Sequence, residues 1–208
     1  MIASSLTDER LKYAYEKGYI KRYRAENAER LSLDDNEVDF VLCKESFHHF
    51  PKPPIALYEM LRVTRRGVML IEPMDNPKLL DSMKTLIKKV IRGDTEMQFE
   101  PSGNFIYRIQ IRELEKLMTA MGGKVIAVKR FNDFYLPRLA KARANTWSLG
   151  AIVTRLGVRV QDILCSLGLL GYGLCGAIAF KGVPDPGVLA ALRADGFQVL
   201  DLPKNPYV

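Results

Sequence analysis

Histidine and cysteine are scarce in this chain of 208 residues, and their scarcity closes off whole classes of chemistry. Its two histidines, His48 and His49, are adjacent, and its three cysteines, Cys43, Cys165 and Cys175, show no C-x-x-C spacing and no neighbouring histidine pair. Structural zinc sites and disulfide frameworks need those arrangements, so no metal is expected and the thiols read as free core residues. A positively charged leader ahead of an apolar run is also lacking, since Met1-Ile2-Ala3 is followed closely by Thr7-Asp8-Glu9-Arg10. A cytoplasmic location is the expectation that follows. The longest charge-free stretch, Ile163 to Phe180, only reaches the lower edge of membrane-spanning length. Gly168, Gly171, Gly173 and Gly176 cut it into a helix end, a turn and a strand, so no transmembrane span is expected.

What is present suits one soluble core. With 48% hydrophobic and 26% charged residues the chain has the size and composition of a single domain. The net charge of +7 is concentrated, because eight lysines and arginines against one acid, Asp133, lie between Lys124 and Arg159. Such an excess favours anionic partners such as phosphorylated substrates, an anionic membrane face or nucleic acid, with solvated helix faces as the plain alternative. Of these a small molecule is the partner expected, and nucleic acid is not. Peripheral membrane contact through the basic helix around Lys84 to Arg92 and the apolar segment near Leu170 is a weaker reading.

Along the chain, Thr7 can cap a helix that carries Leu11 and Tyr15 and stops at Gly18. Tyr19 to Ala25 reads as a strand, and Asp34-Asp35-Asn36 punctuates the way into another, Val38 to Leu42. Pro51, Pro53 and Pro54 hold off helix until Ile55. Leu57, Met60 and Leu61 then share one face of a helix to Val63, which Arg65-Arg66-Gly67 is expected to end before the strand Val68 to Ile71. Leu79, Leu80, Met83, Leu86, Ile87 and Val90 line a further helix opposite Lys84, Lys88, Lys89 and Arg92, and a polar loop runs from Gly93 to Asn104. Leu114, Leu117, Met118 and Met121 mark a helix from Ile111, closed by Gly122-Gly123 ahead of a strand from Lys124 to Phe131. A helical insert, about Leu139 to Leu169, separates it from a final, antiparallel strand, Leu174 to Phe180; Val188 to Arg193 and a proline-rich tail finish the chain. Alternation of strand and helix implies an α/β fold with parallel strands. One domain results: core 1–135, insert 136–170, last strand 171–182 and tail 183–208.

Two stretches carry a family resemblance. Val38-Asp39-Phe40-Val41-Leu42-Cys43-Lys44-Glu45-Ser46-Phe47-His48-His49-Phe50 and, after a short helix, Leu61-Arg62-Val63-Thr64-Arg65-Arg66-Gly67-Val68-Met69-Leu70-Ile71-Glu72-Pro73 read as strand, loop, helix and strand. This arrangement resembles the second half of a class I S-adenosylmethionine-dependent methyltransferase of the methyltransferase-11 type. The resemblance covers about residues 1–135 and the last strand, and is best over 25–73. It implies a Rossmann-like fold, a mostly parallel sheet with helices on both faces, and S-adenosyl-L-methionine as cofactor.

By that resemblance, Asn27-Ala28-Glu29-Arg30-Leu31 follows the third strand of the family, with Asn27 facing the adenine amino group and the Ala28 N–H a ring nitrogen. Cys43, Lys44 and Glu45 fall where the methionine portion is lined. Ser5, with Ser4, stands at the exit where the family carries an acid for the ribose hydroxyls; Asp8 lies three residues further on. His48 or His49 is a candidate proton acceptor for the substrate, one of the pair fixing the loop, and Glu72 a candidate to orient or deprotonate the acceptor. No Gly-rich G-x-G turn precedes the matched part, so the chain is expected to be N-terminally incomplete. The implied function is methyl transfer to a small molecule, anionic or sugar-like, through oxygen, nitrogen or carbon. A catalytically inactive binding or partner subunit is the alternative.

Overall fold

In the computed structural model, residues 1–75, 78, 80, 82, 83, 99, 105–134 and 147–208 are described. The helix expected from Leu79 to Val90 lies mostly outside them, as do nearly all of the Gly93–Asn104 loop and the start of the helical insert.

Two sheets organise the chain. A parallel pair, β1 (Ala3–Ser5) and β2 (Tyr23–Ala25), is joined by α1 (Glu9–Glu16). The main sheet has the order β3-β4-β6-β5-β7, from β3 (Val38–Lys44), β4 (Thr64–Pro73), β5 (Val125–Phe131), β6 (Leu174–Phe180) and β7 (Gln198–Asp201). The strands β3 and β4 are parallel, connected by α2 (Pro53–Val63). The strand β6 enters antiparallel between β4 and β5, and β7 is antiparallel to β5. So β3, β4 and β5 share one direction while β6 and β7 oppose it, and the expected parallel character holds for three of the five.

Helices cover both faces. On one, α2 and α3 (Ile111–Ala120) place Ala56, Leu57, Met60, Leu114 and Met118 against Val68, Leu70, Ile126, Val128 and Ala177. On the other, α5 (Pro186–Ala194) brings Leu189 and Leu192 to Val125, Ala127, Ile178 and Phe180. The strand alternation explains the sorting, since successive side chains of β5 and β6 go to opposite faces. All seven residues of β6 are buried, which is why this segment carries no charge. Among the described residues no helix is long and apolar enough to cross a membrane.

Several sequence-based boundaries move. Only Tyr23–Ala25 of the expected Tyr19–Ala25 strand is extended. The N-cap of α1 is Asp8 and not Thr7, with no side-chain cap bond, while Gly18 takes φ 73° just beyond its end. Pro53 and Pro54 begin α2 instead of delaying it, because a first-turn proline gives up an N–H that has no helical partner. Arg65-Arg66-Gly67 is part of β4 and not a helix stop: Thr64 is already extended, and the Arg65 guanidinium reaches Asp39 across the strand pair at 3.0 Å. The strand at Leu174 is not the last, since β7 follows it and forms the sheet edge. Of the insert, α4 (Leu149–Ser166) is seen, capped by Ser148.

Candidate functional site

The carboxyl ends of β3 and β4 build one compact site around Glu72. Alternation along β4 turns Val68, Leu70 and Glu72 to the same interior face, and Glu72 is fully buried. Its Oε1 accepts the N–H groups of Ser46 and Phe47, each at 3.0 Å, and its Oε2 lies 2.6 Å from Nδ1 of His48. The loop between them is turned by Glu45, at φ 48°, whose N–H donates to the Ile71 carbonyl at 2.8 Å. The Ser46 hydroxyl donates to the Lys44 carbonyl, and the Tyr107 N–H to the His48 carbonyl. A short 3-10 turn, Phe47–His49, follows, with Phe47 in the core and the His49 ring 3.9 Å from that of His48.

Glu72 therefore serves the loop from below. Buried polar groups need partners, and this carboxyl supplies them to two backbone donors and an imidazole at once. Only the inward face of Glu72 was open to sequence reading, for it stands two residues beyond Leu70 in a strand whose alternate residues are apolar. Cys43 sits in the same cluster, its thiol 3.8 Å from Glu72 Oε1. Burial first, and then the negative charge of Glu72, push that thiol up to about 12. Cys175 of β6, the register partner of Glu72 on β4, is pushed to about 11, again mainly by burial. A thiol so strongly protonated is a packing group and no nucleophile at neutral pH. Lys44 and Glu45 are exposed and lie 3.7 Å apart as an ion pair at the mouth of the loop.

The segment after β2 meets this loop from the side. Asn27 is exposed, its Oδ1 accepting the Glu29 N–H at 2.9 Å, while Ala28 packs against the core. Glu29 accepts the N–H of Lys52 at 2.7 Å, tying the Asn27–Glu29 turn to the residues that start α2. Two residues absent from the sequence-based site fix the rest of this segment. Glu59 accepts the Leu31 N–H, and Arg62 donates to the carbonyls of Leu31 and Leu33, to Glu59 and, at 2.6 Å, to Asp35. Ser5 is set apart in the β1–β2 sheet, where its carbonyl accepts the Glu26 N–H. The structure thus gathers Cys43, Lys44, Glu45, His48, His49 and Glu72, links Asn27, Ala28 and Glu29 to them through Lys52, and leaves Ser5 in the other sheet. A cavity of about 270 Å³ lined by Tyr58, Leu61, Arg62 and Phe180 lies at the opposite end of β4. Among the described residues no three histidine, cysteine or acidic side chains cluster as metal ligands.

This architecture has known counterparts. Residues 2–71 match the family described as methyltransferase domain. A S-adenosylmethionine-dependent methyltransferase of Methanosarcina mazei superposes with a TM-score of 0.52 at 16% identity, over 88% of this chain and 82% of that one. A methyltransferase of Haloferax volcanii, in complex with the Trm112 methyltransferase activator, superposes at 0.53 and 15% identity, over 88% and 72%. The phosphoethanolamine N-methyltransferase 2 of Haemonchus contortus, in complex with S-adenosyl-L-methionine, does so at 0.52 and 14%, over 88% of this chain and 43% of that one. No curated protein matches the sequence.

Proposed function

We propose that this chain, which has the class I S-adenosylmethionine-dependent methyltransferase fold with a methyltransferase-domain match in its first third, binds S-adenosyl-L-methionine at the strand exits of β2 and β3 and transfers its methyl group to a small molecule. The observation that carries this reading is the Glu72-centred loop. It is a rigid turn at the carboxyl end of a parallel strand, the place where open α/β sheets take their ligands.

The residues present fit that cofactor in part. The left-handed Glu45 turn presents Lys44 and Glu45 outward at the end of β3, where they would meet the methionine portion, and the Asn27–Glu29 turn offers an amide and a small residue to the adenine. Ser5 brings a hydroxyl where two ribose hydroxyls would favour a carboxylate. When bound, the cofactor supplies an electrophilic methyl group that leaves its sulfur as the acceptor lone pair attacks in line. The protein's share is mainly positioning. His48, held by Glu72, keeps the loop in register; His49, its ring tilted 49° against that of His48 and less buried, is the candidate to receive a proton from the acceptor. The concentration of positive charge between Lys124 and Arg159 favours an anionic acceptor, such as a sugar phosphate.

A second reading, a methyltransferase-like partner subunit without activity, is favoured by one observation: β1 and β2 form a sheet of their own and do not join β3. Isothermal titration of S-adenosylhomocysteine into the folded chain separates the two. One-site binding that weakens in a Lys44→Ala, Glu45→Ala variant supports the first. A folded chain that gives no heat of binding overturns it.

A further inference from the structure

Helix α4 wears its apolar side outward. Its inward face is small and only partly apolar, with Ala151 and Cys165 buried and Thr154, Val158 and Gln161 partly so. Its outward face carries Leu149, Val153, Leu156, Val160, Ile163 and, at the C-cap, Leu167, all of them exposed among the described residues and four of them, Leu149, Leu156, Ile163 and Leu167, by 58% or more. Ile152 is exposed beside them. A surface helix of a globular protein turns its apolar stripe to the core, so an outward stripe of this length calls for a cover.

The spacing identifies the cover. Leu149, Leu156 and Ile163 recur every seven residues, and Val153, Val160 and Leu167 recur every seven residues between them. That is the alternating four-and-three step of a helix–helix seam, with β-branched valines and leucine at one set of positions and leucine and isoleucine at the other. The stripe is also its own mirror image about residue 158. Reversing the helix sets Leu149 opposite Leu167, Val153 opposite Ile163 and Leu156 opposite Val160. Every apolar side chain meets another, as a contact between identical surfaces requires.

We propose that α4 is the contact surface for a second copy of this chain, the two α4 helices pairing antiparallel across a two-fold axis near residue 158. Charge on the rim agrees with this direction. The same flank of each helix meets in an antiparallel pair, so Arg155 of one copy falls beside Asp162 of the other, one residue from ideal register. Asp162 accepts one bond from Asn132 at 2.8 Å and keeps acceptor capacity for a second donor. Arg159 is the opposing influence. It lies on that rim close to its own copy, and its long stem lets the guanidinium reach solvent. Each helix offers a seam about 27 Å long at 1.5 Å per residue. Gly157 lies off the seam, its open side filled by the ring of Phe134 of the same chain, with ring carbons 2.6 to 2.8 Å from where a Cβ would stand.

The test is the mass in solution of the full chain by sedimentation velocity over a wide dilution series. The expected species has twice the chain mass of 23.6 kDa, dissociating on dilution. Leu156→Lys and Val160→Lys are expected to raise the dissociation constant by roughly a hundredfold or more, because two-fold symmetry counts each buried charge twice. Val183→Lys, on an exposed residue outside the seam, leaves it unchanged, and circular dichroism checks that every variant is folded. Mixing Leu156→Cys chains with Val160→Cys chains under mild oxidation gives the direction, since the antiparallel seam cross-links the unlike pair. A native chain that stays monomeric throughout overturns the proposal, and so does cross-linking of Leu156→Cys chains to one another. Binding of a monomer to phosphatidylserine-containing vesicles and not to pure phosphatidylcholine would overturn it in favour of a lipid cover.

Discussion

Oε2 of Glu72 lies 2.6 Å from Nδ1 of His48, both side chains are buried, and the same carboxyl holds the Ser46 and Phe47 amides with its other oxygen. Removing Glu72 therefore orphans three polar groups beneath one loop.

Glu72→Ala is expected to destabilise the chain by about 3 kcal/mol, the scale set by leaving buried donors without an acceptor. Glu72→Gln keeps a carbonyl oxygen for the two amides and loses much less. Urea denaturation of both variants checks the order. Equal losses would mean that the amides draw little from Glu72.

Thiol chemistry gives a second expectation. Cys43 and Cys175, held near 12 and 11 by burial and by the charge of Glu72, stay unreactive toward a disulfide reagent at neutral pH until the fold opens. The pH dependence follows the same shifts. Both folded values lie above the value of 9.0 that the groups start from, so the folded state keeps protons that the unfolded chain gives up. Their contribution is complete below pH 9 and is lost as pH rises toward 11 and 12, so stability falls across that alkaline range. Thermal melts from pH 8 upward check it, and Cys43→Ala should flatten the alkaline limb.

Gly67 and Gly176 make a matched pair of tests. A Cβ on Gly67 would run into the carbonyl oxygen of Ala179 on the neighbouring strand, whereas one on Gly176 would come no closer than 3.7 Å to the ring of Phe131. Gly67→Ala is expected to cost about 2 kcal/mol or more through forced strand separation, and Gly176→Ala to be nearly neutral. The difference in urea midpoint between the two variants is the measurement.

The clamp between α2 and the turn after β2 predicts a local effect. Arg62→Ala takes away the donors to Leu31, Leu33, Asp35 and Glu59 together, so hydrogen exchange at residues 29–35 should quicken while the amides of β4 and β6 stay protected. Arg62, bonded to Glu59, holds that carboxyl below its ordinary range. The clamp is therefore full above the ordinary carboxyl value of 4.5 and loosens as pH falls through the lower folded one. Exchange measured at mildly and strongly acid pH reads that loss.

How much of this the sequence disclosed depends on how strongly each segment is constrained. The strand β6 was legible because burial on both faces excludes charge from Leu174 to Phe180, and α3 because Leu114, Leu117 and Met118 repeat at helical spacing. The strand β7 was not, since Gln198–Asp201 is a short edge strand whose residues are half-buried or exposed and carry no run of apolar residues. At the site the residues at the end of β3 and Glu72 could be brought together from their place at strand ends. The bond between Glu72 and His48 and the anchoring by Glu59 and Arg62 depend on tertiary contacts separated by 24 to 31 residues, which local pattern does not encode.

The position of β6 also sets the order in which the molecule can be made. The strands β4 and β5 touch each other only through β6, which is translated after both of them. Until Phe180 has left the ribosome, β4 and β5 each present an apolar strand edge with nothing to pair, and most of the main sheet's hydrogen-bonded ladders cannot form. Folding of the main sheet is thus deferred until β6 has been made, and a nascent chain stalled before residue 174 is a substrate for chaperones and proteases instead of a smaller folded protein.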